Sequence, residues 1–126
     1  MPRNIKVISA PEFIRAQPEG RANLEDAETM LTGIAEAGAG LEDFQVLVDV
    51  RKVSGALEPA DLWRLAQKLA THRRTFGHRT AVLCPLEKFD NARFFAMCAE
   101  NRGINVHAFT SYEDAMEWLI AEGNPS

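Results

Sequence analysis

The chain has 126 residues, 46% hydrophobic and 25% charged, which suits one soluble domain able to bury its own core. A net charge of -4 argues against binding nucleic acid or an anionic membrane, since both draw on excess Lys and Arg. No apolar run approaches the roughly 20 residues that span a bilayer, and "MPRNIKVISAPEF" lacks the apolar segment of a signal peptide, so a cytoplasmic location is expected.

"NIKVIS" alternates apolar and polar residues and predicts a strand. "EFIRAQ" predicts a second, closed by Pro18, Glu19 and Gly20. The short link between them points to an antiparallel hairpin at a sheet edge. In "NLEDAETMLTGIAEAGAG", Leu24, Ala27, Leu31 and Ile34 recur at helical spacing, with Asn23 as N-cap and Gly38 and Gly40 at the end. "FQVLVDV" is nearly continuous Val and Leu, the mark of a strand covered on both faces. Pro59 suits the first position of a helix, which Leu62, Leu65, Ala66, Leu69 and Phe76 supply with an apolar stripe. "TAVLC" is a further buried strand. "FDNARFFAMCAENRG" is a helix ended by Gly103, and "INVHAF" a strand. "SYEDAMEWLIAEG" is a last helix, N-capped by Ser111 and ended near Gly123.

The expected architecture is therefore α/β, a mixed five-stranded sheet flanked by four helices in the order ββαβαβαβα, as a single domain over 1–126. The later strands alternate with helices and should run parallel through right-handed crossovers. In such a sheet, ligands bind beyond the carboxyl ends of the strands. Three turns gather there: "RKVSGALEP", "PLEKF" and "TSY". The first is no P-loop or dinucleotide fingerprint, because it has one glycine, Gly55, no Lys leading into the helix, and Pro59 where an N–H is needed.

The ordered set "VLVDVRKV", "DLWRLAQKLATHRR", "TAVLC", "ARFFAMCAENRGINVHAF" and "YEDAMEWL" resembles the SpoIIAA-like branch of the STAS domains. The likeness runs from "IKVIS" to "EWL". It implies a mixed sheet flanked by helices and a non-enzymatic regulatory or interaction module, with a protein partner or a second copy of the chain as its target. The family's phosphorylated Ser lies in an Asp-Ser-Ser-Gly turn. Here Leu57, Glu58, Pro59 and Ala60 hold that position and offer no hydroxyl, so the implied phosphoacceptor is missing. Ser54 is the nearest hydroxyl, and its ordinary role is a turn Ser bonded to local backbone. The SpoIIAA-like group is also similar in fold to lipid-carrying CRAL-TRIO domains. That similarity implies an alternative, a carrier or sensor for a small apolar or amphipathic ligand.

No nucleophile–base pair, metal ligand set or phosphate loop stands out, so no catalytic residue, metal or cofactor is expected. If a small ligand binds, the strand-end turns point to Arg51, Ser54, Cys84, Phe89 and Arg93. Phe89 would give apolar contact, and the two guanidinium groups could hold a carboxylate or phosphate. Asp49 reads as a carboxylate bonding turn N–H groups, and His107 as a structural histidine. The basic cluster His72, Arg73, Arg74, His78 and Arg79 reads as a solvated helix end. Cys84 and Cys98 match no redox or zinc spacing and read as packed thiols. Trp63 and Trp118 fall beside their helix stripes, as half-buried or interface residues.

Overall fold

A computed structural model describes residues 5–9, 12–39, 44–74 and 76–121. The central apolar runs form the middle of a five-stranded sheet. The run Gln45–Asp49 (β4) lies between Glu12–Ala16 (β2) and Arg79–Leu83 (β6). Ile5–Ser9 (β1) pairs antiparallel with β2 at one edge, and Asn105–Phe109 (β7) pairs parallel with β6 at the other. The sheet is thus mixed, with the hairpin at its edge, as the alternation predicts. Four helices flank it: Leu24–Ala37 (α1), Pro59–Thr71 (α2), Phe89–Glu100 (α3) and Tyr112–Ile120 (α4).

The strand period of two divides the residues of this sheet between two cores. Ile14, Ala16, Val46, Val48, Val82 and Val106 pack against α1, α2 and α3. Leu47, Ala81 and Leu83 point the other way and pack against Ala115 and Leu119 of α4. Both faces of β4 and β6 are therefore dry, which explains their unbroken apolar sequence.

The helix ends follow local chemistry. Asn23 Oδ1 accepts from Asp26 N at 3.0 Å, and Ser111 Oγ accepts from Asp114 N at 3.2 Å, so both anticipated caps form. Pro59 opens α2, but Glu58 at its N-cap makes no side-chain bond. Gly38 ends α1, where a Cβ would collide with the Phe44 ring. Gly40 and Gly123 lie outside the described residues.

Three features depart from the sequence reading. The structure adds a short parallel pair, Gly20–Arg21 (β3) with Val53–Ser54 (β5), outside the main sheet. Pairs this short leave no periodicity to read. Phe76 is not part of the α2 stripe: the helix ends at Thr71, and Phe76 is buried from the loop beyond it. Arg79 is not at a solvated helix end. It is 6% exposed, and its Nη1 donates to the carbonyls of Trp118 at 2.6 Å and Ala121 at 2.8 Å. α4 carries no basic residue in its own last turn, so a cation from the start of β6 serves its C-terminus instead.

Candidate functional site

At the carboxyl end of β4 the chain splits its chemistry between the two faces of the sheet. Asp49 continues the Leu47 alternation toward α4 and is fully buried. Arg51 grips it with both ends of its fork, Nε to Oδ1 at 3.0 Å and Nη2 to Oδ2 at 2.9 Å. The Arg51 backbone N–H donates to Oδ1 at 3.0 Å, Gln17 donates to Oδ2 at 3.3 Å, and Arg15 stands 3.9 Å away. Burial by itself pushes the Asp49 carboxyl up, but the hydrogen bonds and charge of Arg51, with Arg15 behind it, outweigh this and hold it below its ordinary value of 3.8. The expected bond from Asp49 to a turn N–H is present. The same contacts commit Arg51 to Asp49, on the side where Tyr112 and Glu113 begin α4.

The opposite face holds a cavity of about 190 Å³, bounded by the sheet and α1, α2 and α3. Val48, Val82 and Cys84 form its floor. α1 contributes Ala27, Met30 and Leu31, and α2 contributes Leu62, Leu65 and Leu69. Ala92 and Phe95 close it from α3, and Phe76 from the loop after α2. The exposed members of the lining are Glu19, Arg21, Asn23, Asp26, Gly55 and Ala56, and they mark the mouth. Glu19 and Asp26 stand there against Arg21, with the half-buried Lys88 as a second base on the lining, so the mouth carries both signs of charge.

The short β3–β5 pair forms part of that mouth. Ala22 N donates to the Ser54 carbonyl at 2.8 Å, and Ser54 Oγ donates to the Gly20 carbonyl at 3.3 Å. Lys88 Nζ donates to the Val53 carbonyl, and Asn91 donates to that of Leu57 at 3.2 Å. Gly20 and Gly55, with φ of 93° and 72°, supply the left-handed backbone needed at the two crossings. The turn "VSGALEP" therefore makes a clasp that ties the approach to α1 to the approach to α2.

Of the five strand-end residues singled out from sequence, Cys84 lies on the cavity wall. Ser54 is in the clasp, bonded to Gly20 across the fold and not to local backbone. Phe89 is half-buried against the core with the Arg93 guanidinium 5.9 Å above its ring, and Arg51 is on the other face. The structure does not bring these five together. The cavity-lining residues of α1 and α2 carry no sequence signal beyond an ordinary apolar stripe. Thr80 is the exception, a hydroxyl in the otherwise apolar run "TAVLC". It lines the cavity, is 3% exposed, and its Oγ1 has no hydrogen-bond partner.

Burial raises the Cys84 thiol above its ordinary value of 9.0, with Glu87 adding and Lys88 opposing, so it is a poor nucleophile. His107 is half-exposed on the edge strand, 3.3 Å from Glu100 and stacked on Trp118 at 4.3 Å. Among the described residues no group of three or more His, Cys, Asp or Glu could hold a metal ion, and no helix is long and apolar enough to cross a membrane.

No protein-family model matches the sequence, and no curated protein matches it. The fold, with three helices on one face of a mixed sheet and one on the other, does have a match. It superposes on the crystal structure of an uncharacterised DUF3478-family protein with a SpoIIAA-like fold from Shewanella loihica PV-4, with a TM-score of 0.61. The match covers 91% of this chain and 90% of the other at 20% sequence identity. The fold is SpoIIAA-like. At that identity the likeness speaks to architecture, and the SpoIIAA-like frame leaves the chemistry of the cavity to be argued from its own residues.

Proposed function

We propose that this SpoIIAA-like domain is a non-enzymatic module that binds a small, mainly apolar molecule in the cavity beneath α1 and α2. One observation carries the reading: a space of about 190 Å³ stays open inside the larger of the two cores, walled by Leu, Val, Met, Ala and Phe. Protein interiors pack densely, and voids larger than a water are few. An engineered apolar cavity of about 150 Å³ already takes up benzene. Three groups that could act as acid, base or nucleophile are committed elsewhere. Asp49 is held ionised by Arg51, the Cys84 thiol is held neutral, and His107 sits on an edge strand.

Native mass spectrometry of the purified chain tests this. A non-covalent adduct that is released by organic solvent is expected. Ala27→Phe, which fills the cavity from α1, should remove the adduct while leaving the far-ultraviolet circular dichroism unchanged. An adduct-free native protein, or an adduct equally present in Ala27→Phe, counts against the reading.

A regulatory or interaction role, which the SpoIIAA-like resemblance implies, draws its support from Trp63 and Met97. They are 46% and 52% exposed on the neighbouring helices α2 and α3. A concentration-dependent mass in solution that Trp63→Ser and Met97→Ser abolish would favour that role.

A further inference from the structure

Thr80 and Val82 on β6, and Cys84 one residue past its end, line the same cavity two residues apart. At about 3.3 Å per residue they cover roughly 13 Å along the strand. Cys84 lies at the carboxyl end of the strand, as does the clasp. Thr80 lies at the opposite end, where Leu69 and Phe76 are each 1% exposed. Its hydroxyl is buried and makes no hydrogen bond. A sealed hydroxyl without a partner costs stability, whereas Val in its place has the same shape and no polar atom to satisfy. Arg15 Nε is also buried and unpartnered, but its guanidinium reaches Asp49 and the rest of the side chain is 32% exposed. Thr80 has no such outlet.

We infer that the ligand of this cavity enters with one uncharged oxygen function, a hydroxyl or a carbonyl, at its buried end, where it pairs with the Thr80 hydroxyl. The inference rests on the cavity being a ligand site. A hydroxyl can donate to a carbonyl or exchange either role with another hydroxyl. A carboxylate is excluded from the buried end, because the wall there is Leu69, Phe76 and Leu65, with no cation among the described lining residues at that end to offset the loss of hydration. The ligand class is thus an elongated hydrocarbon with a neutral oxygen at the end that leads. Any charged group stays at the mouth.

Chemical-shift titrations of the whole chain with butylbenzene, para-butylphenol and para-butylbenzoate test this, using the native protein, Thr80→Val and Thr80→Ser. In Thr80→Val the affinity for the phenol relative to the hydrocarbon should fall by about tenfold, with butylbenzene itself unchanged within about twofold. Thr80→Ser, which keeps the hydroxyl, should preserve the native ratio. The benzoate should be indifferent to Thr80→Val, because its charge remains at the mouth. An unchanged phenol-to-hydrocarbon ratio in Thr80→Val overturns the inference and leaves the cavity as a binding site. A benzoate weakened in parallel with the phenol overturns the restriction to neutral oxygen. If none of the three probes binds, the cavity is not a ligand site and the proposed function fails with it.

Discussion

Asp49 shows how one residue's surroundings decide its role. A buried carboxylate at a strand end could act as a base, yet every contact made by this one stabilises its ionised form. Its folded pKa is lowered, so its charge stabilises the fold fully above the ordinary value of 3.8. That contribution is lost as pH falls through the lower folded value. Asp49→Asn keeps the shape but weakens the charge-assisted bonds from Arg51, and should cost about 2 kcal/mol at neutral pH. The half-exposed Arg51 can turn to water, which keeps the loss below that of a fully buried pair. Urea denaturation at neutral pH and near pH 3 checks this. The gap between native protein and variant should narrow in acid, and a gap that widens would mean the carboxyl is already protonated in the fold.

α2 shows the same economy at the scale of an element. Its apolar stripe is complete, with Leu62, Leu65, Ala66 and Leu69 all buried, but its N-terminus has no side-chain cap. Pro59 removes one of the orphan donors, and the others are left to water or to the loop. Glu58→Ser places a capping hydroxyl at the right backbone conformation, φ -73° and ψ 158°. It should raise stability by about 0.5–1 kcal/mol, read as a higher urea midpoint at unchanged slope. No gain would mean that the clasp holds residue 58 away from the cap geometry. α4 is the converse case. It is nine residues long with a good N-cap, and its C-terminus depends on Arg79 from a strand.

For the whole molecule, the arrangement of helices decides what is accessible. α1, α2 and α3 share one face of the sheet and leave the cavity open between them, while among the described helices α4 closes the other. Cys84 reports on the opening of the cavity, because it lies on the wall, is 1% exposed, and is held as a neutral thiol by burial. Iodoacetamide at pH 8 should alkylate it faster than the chain unfolds globally but far more slowly than an exposed thiol, because ligand entry requires α1 or the clasp to open locally. Alkylation only at the rate of global unfolding would show that the cavity stays shut in the native protein.

The sequence by itself determined the sheet, the helices and the absence of a phosphate loop, because strand and helix periods and the Asn23, Ser111 and Pro59 signals act within a few residues. It also excluded a hydroxyl at positions 57–60. Only the tertiary structure decided where the cavity lies. Val48 and Leu31 look the same in sequence whether they touch one another or face a void, since a stripe records burial and not the distance to the opposing layer. The same limit hid the clasp, whose strands at Gly20–Arg21 and Val53–Ser54 are too short for a period. Arg79 and Thr80 illustrate it most plainly. They are adjacent in one strand, yet the first is satisfied by carbonyls about 40 residues away and the second has no partner, and only the packing of α4 on one face and α2 on the other separates them.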